Sequence, residues 1–291
     1  MDKKRTAVQA IFTILTNGYL KGFVNGSIYQ GVSKSVCVPG LSCYSCPGAL
    51  CSCPVGAYQA VAGSRNFSVP LYIVGFLALV GGVGGRFVCG WLCPFGLFED
   101  LLYKLPIKHK INEVKGDRQL KYIKYFVLFV FVLVLPAFAT GEFGQGDPWF
   151  CKYICPSGML MAGLPLAAAN KGVRGAIGLL FAWKAAVLAA VVLLSTAIYR
   201  PFCRYICPLG AVYGLFNGIS LYRHSFDAKL CEGCGSCQSV CKLRIKANEE
   251  INCADCIRCG KCLKSCRTGA LSGGLRKAEN EKEEKNGLHI L

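Results

Sequence analysis

The 291-residue chain is poor in charge: 17% of its residues are Asp, Glu, Lys or Arg, while 53% are hydrophobic. That balance points to a membrane protein rather than to a larger soluble core. Acids are the scarcer sign, 16 against 33 Lys and Arg. The basic excess gathers in 103–124, between two apolar runs, and around the last cysteines. Lys- and Arg-rich loops beside apolar runs mark a cytoplasmic face. A nucleic-acid partner would need a soluble basic domain with groove-reading features, and the sequence has none. It also lacks a C-x-x-C-H haem attachment and a G-x-G-x-x-G fingerprint, so no substrate site of its own is expected. The start, "MDKKRTAVQAIFTILT", has the basic opening of a signal peptide, but no small-residue cleavage site follows its apolar stretch. It reads as a retained anchor.

Four segments, 7–28, 69–88, 122–140 and 176–198, are apolar enough to be read as spans; a crossing helix needs about 20 such residues. Lys3, Lys4, Arg5 and the basic 103–124 loop belong inside, and the acidic "GEFGQGDPW" (141–149) outside. Both termini are then cytoplasmic, with Lys171 and Arg174 on the wrong side of an otherwise consistent multi-pass scheme in the cell membrane.

Cysteine is abundant, with 20 residues. In a chain that is not a small secreted module this favours metal ligation over disulfides. "RFVCGWLCPFG" (86–96) recurs as "PWFCKYICPSG" (148–158) and "PFCRYICPLG" (201–210). Short apolar stretches at 54–64, 94–105, 156–169 and 208–221 each begin with the Pro of a Cys-Pro pair. Pro suits the first helical position, which puts the cysteine at the N-cap, where free amides and the helix dipole favour thiolate. The order C-P-x-G, short helix, basic residue, span, Arg, C-x3-C-P-x-G occurs twice, once with Arg65 and Arg86 and once with Lys171, Arg174 and Arg200. Broken helices at matching places in two halves point to a site between the halves.

The tail carries "CEGCGSCQSVC" and "CIRCGKCLKSC". Both have the C-x2-C-x2-C-x3-C spacing of two-cluster bacterial ferredoxins, in which the fourth cysteine of each run ligates the other cluster. One [4Fe–4S] cluster is therefore assigned to Cys231, Cys234, Cys237 and Cys266, the second to Cys256, Cys259, Cys262 and Cys241. A zinc site would use two C-x-x-C pairs instead. Lys242 and Arg267 stand where Pro usually follows the fourth cysteine, and Cys253 is a spare thiol.

Among the membrane cysteines, Cys89, Cys93, Cys203 and Cys207 form an inner set. Cys151 and Cys155 lie outside, facing Cys51 and Cys53, or Cys46. Three uses stay open: one or two further iron–sulfur clusters, a dithiol–disulfide relay, and a thiolate site for Cu(I) or another soft metal. Arg86 and Arg200 either balance a cluster's charge or snorkel to headgroups. Lys184, beside Trp183, is assigned to the interface.

"GRFVCGWLCPFG", "RPFCRYICPLGA" and the double ferredoxin tail resemble the NapH-type membrane polyferredoxins from about Cys43 to Cys266. The resemblance implies electron transfer between a cytoplasmic donor or quinone pool and a partner redox protein, with no catalytic site in this chain. The expected architecture is an all-α membrane protein. Residues 1–222 hold four transmembrane helices and short re-entrant or interfacial helices in a pseudo-repeat. Residues 223–272 form a two-cluster ferredoxin-like domain, and 273–291 a charged, disordered tail.

Overall fold

The computed structural model describes residues 3–64, 69–106, 110–111, 116–139, 146–175 and 177–275. Arg65, most of the acidic 141–149 loop, parts of the basic 103–124 loop and the charged end from 276 onward lie outside these. The elements used below are α1 (Lys3–Asn17), α2 (Pro54–Ala62), α3 (Leu71–Gly84), α4 (Phe87–Trp91) and α5 (Pro94–Leu102). They continue with α6 (Asp117–Phe138), α7 (Pro156–Ala169), α8 (Leu179–Ala197), α9 (Pro201–Tyr205) and α10 (Pro208–Leu215). The tail contributes β1 (Tyr222–Phe226), α11 (Ser236–Ser239), α12 (Lys261–Ser265) and β2 (Leu271–Leu275).

Helix α1 inverts the pattern of a soluble surface helix. Arg5, Gln9 and Thr16 share its buried face, whereas Ile11, Ile14 and Leu15 are exposed. Near-helical spacing puts each group on its own side. An outward apolar stripe of this size suits lipid contact rather than water.

Of the four expected spans, α6 and α8 are helices long and apolar enough to cross a membrane. The other two come out shorter. The segment 7–28 breaks after Asn17, leaving 15 residues in α1. The segment 69–88 yields the 14 residues of α3, stopped by Gly85 at φ +52°. At 1.5 Å per residue these measure roughly 22 and 21 Å, short of a ~30 Å hydrocarbon core.

The four Cys-Pro pairs that begin the short apolar stretches build the expected local structure. Pro54, Pro94, Pro156 and Pro208 open their helices, with Cys53, Cys93, Cys155 and Cys207 at the N-cap in extended conformation. The missing proline N–H falls where no helical partner exists, so it costs nothing there.

Packing extends the repeat to the front of the chain. Helix α5 packs on α1 and on α8; α10 packs on α6 and on α3. In chain order α1, α3 and α5 correspond to α6, α8 and α10. Each closing short helix thus sits between the first helix of its own half and the span of the other. The tail closes on an antiparallel ladder from Tyr222↔Leu275 to Phe226↔Leu271, which runs one residue before 223 and three past 272.

Candidate functional site

The inner cysteines converge. Cys89 lies in α4 and Cys203 in α9, while Cys93 and Cys207 cap α5 and α10. All four are buried and interact electrostatically as one group. Backbone N–H groups of Leu41 and Gly96 donate to Cys93 Sγ, each at 3.4 Å.

Two arginines cross between the halves. Arg200 donates to the Cys89 carbonyl at 2.6 Å, and Arg86 to the Cys203 carbonyl at 3.0 Å. Each passes over the glycine of the opposite C-P-x-G turn: a Cβ on Gly96 would meet Arg200, and one on Gly210 would meet Arg86. Their exposures are 1% and 2%, so headgroup snorkelling is replaced by a buried structural role. Burial demands counter-charge. Asp100 supplies it to Arg200 and to Arg5, both at 2.6 Å, and Asp255 supplies it to Arg86 at 3.4 Å. Arg200 also holds a left-handed backbone, φ +51°, sparsely populated for a non-glycine residue and fixed here by the ion pair.

The outer set forms with one exchange. A cavity of about 310 Å³ is lined by Cys43, Cys53, Cys151 and Cys155. Cys51 is not among them. The short parallel bridge Cys37↔Ser52 sets Cys51 on the side of Cys37, and Cys46 instead donates its thiol to the Met161 carbonyl at 3.1 Å. Lys184 lines the same cavity and donates to the Cys151 carbonyl at 3.1 Å. Its ammonium is therefore part of the site, while Trp183 is exposed and donates to Tyr153 O.

In the tail, Cys241, Cys256, Cys259 and Cys262 line one pocket. Burial pushes the Cys256 thiol up to about 12 and the Cys262 thiol to about 11, so holding thiolate there requires cationic ligation. Helix α11, which carries Cys237, packs on α12, which ends just before Cys266. Cys234 interacts with Cys266. Bonds from the Ser236 N–H and the Thr268 hydroxyl lower these two thiols. Cys231 and Cys234 are exposed, so this set faces solvent.

The two tail sets stand at different depths because the second run docks on the membrane half. Asp255 takes Lys124 at 2.6 Å, Lys121 at 3.1 Å and Arg86 at 3.4 Å. Burial would raise its carboxyl, but Lys124 and then Arg86 outweigh that and hold it at about 2. Fully buried Asn217 donates to the carbonyls of Cys253 and Cys256, both at 2.8 Å, and accepts the Arg86 N–H at 2.8 Å. Buried Arg258 donates to Gly84 O at 3.0 Å and to Ser220 Oγ at 2.6 Å. Lys242 lies over the Tyr103 ring at 4.3 Å and the Tyr199 ring at 5.2 Å. It is a docking contact, and burial, then Lys261, lowers its amine to about 8. Gly90 abuts the Ile257 carbonyl so closely that a Cβ would collide with it. Gly90→Ala should destabilise this contact by about 1–3 kcal/mol, read as faster proteolytic release of the tail from the folded chain.

Four thiols ring the outer cavity and another four the pocket of the second tail run, an arrangement that fits the four-thiolate ligation of a [4Fe–4S] cluster. Sequence reasoning missed Cys43, Asp100, Asn217 and Asp255. An acid inside a C-P-x-G helix was the one local signal, for Asp100.

The 4Fe-4S binding domain family matches residues 66–112, 125–166 and 179–226. The chain is 32% identical to an uncharacterised protein of Methanocaldococcus jannaschii over 197 residues, 65% of each chain. It is 32% identical to the methylamine utilization ferredoxin-type protein MauN of Methylorubrum extorquens over 162 residues, 55% of this chain and 48% of that one. It is 28% identical to the ferredoxin-type protein NapH of Haemophilus influenzae over 201 residues, 63% and 60%. The chain thus spans about half to two thirds of these relatives. No solved structure matches.

Proposed function

We propose that the chain, which matches the 4Fe-4S binding domain family in three segments and is similar to the ferredoxin-type protein NapH, conducts electrons through four iron–sulfur sites in series. Cys231, Cys234, Cys237 and Cys266 would hold the solvent-facing site. Cys241, Cys256, Cys259 and Cys262 would hold the docked one. Cys89, Cys93, Cys203 and Cys207 would hold the inner membrane site, and Cys43, Cys53, Cys151 and Cys155 the outer one. A bound [4Fe–4S] cluster supplies one-electron chemistry at a potential tuned by local charge, hydrogen bonds and exposure.

Asn217 carries the reading. Its amide joins the Cys253 and Cys256 carbonyls to the Arg86 N–H, and Arg86 reaches on to the Cys203 carbonyl. Across the membrane half, Leu41 bonds Cys93 Sγ and lies two residues from Cys43. The docked, inner and outer sets are thereby linked in one order through the protein's own bonds, and the solvent-facing set joins them through the chain that the two tail runs share.

In the proposed orientation both termini and the tail are cytoplasmic, and α1 and α3 complete the crossing together with the short segments that follow them. A cytoplasmic redox protein would load the solvent-facing site and a partner at the outer face would unload the last. The apolar cleft between Pro54, Tyr58, Leu77, Leu128 and Phe216, about 220 Å³, offers a quinone tail a seat beside α2. Anaerobically purified full-length protein should contain about sixteen irons and as many acid-labile sulfides per chain. A count near eight would confine the clusters to the tail, and full iron-free thiols in the membrane half would favour the dithiol relay.

A further inference from the structure

Six residues after the cysteine of two Cys-Pro pairs stand Gln59, in "CPVGAYQ", and Glu99, in "CPFGLFE". Both side chains are fully buried, 0% exposed. With one oxygen each does the same thing. Gln59 Oε1 accepts the Phe150 N–H at 3.0 Å, and Glu99 Oε1 accepts the Phe202 N–H at 2.9 Å. Phe150 and Phe202 immediately precede Cys151 and Cys203. The second atom of each head group is therefore delivered to the first cysteine of a facing C-x3-C pair.

There the likeness ends. Gln59 Nε2 donates to Cys151 Sγ at 3.3 Å. The Glu99 carboxyl instead meets the Cys203 side chain as its acceptor. One sulfur receives a donor where its counterpart receives an acceptor oxygen.

We infer that Gln59 and Glu99 are a matched pair of positioning residues that set the outer and inner iron–sulfur sites apart in redox potential, the outer above the inner; this rests on the four-site reading. A donor to a ligand sulfur stabilises the extra negative charge of the reduced state and raises the potential, and an acceptor against the sulfur does the reverse. Local cations do not cancel the bias. Arg86 and Arg200 are paired with Asp255 and Asp100, while Lys184 adds its charge at the outer cavity. An electron entering from the tail is thereby drawn toward Cys151.

The test is an EPR-monitored redox titration of the full chain, with Cys151→Ser and Cys203→Ser identifying which signal belongs to which site. Gln59→Glu should lower the potential of the outer centre alone, and Glu99→Gln should raise that of the inner centre alone. Gln59→Met, which removes the donor without adding charge to a buried site, should also lower the outer potential. Four centres with unmoved potentials would overturn the inference and leave the four-site reading standing. An inner potential unchanged in Glu99→Gln would mean that Glu99 already acts as a donor, which also overturns it. A wild-type protein with the two tail centres only would overturn the four-site reading, and the inference with it.

Discussion

Cys93→Ser should erase one iron–sulfur centre, lowering the iron content by about four per chain while the tail centres persist. Cys93 is the most thoroughly built-in of the inner thiols: it caps α5, receives N–H groups from Leu41 and Gly96, and is buried. Serine keeps the cap and the size but replaces a soft thiolate by a hard, weakly acidic hydroxyl, which is a poor iron ligand. Cys207→Ser should erase the same spectroscopic centre, since Cys207 occupies the equivalent cap on α10 in the same group. Transfer from the tail to any acceptor beyond the membrane half should stop in both. A dithiol relay predicts another pattern: iron unchanged, and an alkylatable or mixed-disulfide sulfur left at the partner cysteine. Two different centres lost in the two variants would refute a shared inner site.

Asp255→Asn should separate the tail from the membrane half. The carboxylate is the common partner of Lys124 and Arg86, whose side chains are 1% and 2% exposed, and of the more accessible Lys121. Removing one member of a buried ionic group leaves the others uncompensated, at a cost of about 3–5 kcal/mol. The tail cysteines do not depend on this contact for their own spacing, so its two centres should survive. The expected result is rapid proteolytic cleavage between the halves, full tail iron, and loss of electron transfer into the inner site. Asp255→Glu should restore part of the docking, because charge is kept and only reach changes. Wild-type cleavage rates in Asp255→Asn would show that Asn217 and Arg258 hold the interface unaided.

What could be read before the fold was known follows the range of each interaction. The shared pocket of Cys241, Cys256, Cys259 and Cys262 is legible because the C-x2-C-x2-C-x3-C spacing brings three thiols together within one loop. The N-cap cysteines are legible for the same reason: Cys and Pro are adjacent, and both act within a single helical turn. Cys43 was not. It competes with Cys46 and Cys51 inside nine residues, and the choice is made by the bridge between Cys37 and Ser52, a pairing that no local pattern announces. Asp255 was also silent, since an acid beside a cysteine run gives no hint of Lys124 more than a hundred residues earlier. Two of the four expected spans, 7–28 and 69–88, come out shorter for a different reason. Hydropathy counts apolar residues, but it does not register that Arg5, Gln9 and Thr16 fall on one face of α1, or that Gly85 stops α3. The repeat was read from Cys53 onward because cysteine marks it there; its first member, α1 matched with α6, is visible only in what each helix packs against.

The crossing of Arg86 and Arg200 means that neither half owns a finished centre. The inner group takes Cys89 and Cys93 from one half and Cys203 and Cys207 from the other, and the outer cavity is divided in the same way between Cys43 with Cys53 and Cys151 with Cys155. A ribosome makes these halves in sequence. Until residue 207 has emerged and α10 has settled against α3, the thiols of the first half are an open bracket, able to meet iron but not to enclose it. If the four-site proposal holds, cofactor loading in the membrane half would be a late event, completed only when both halves have been made.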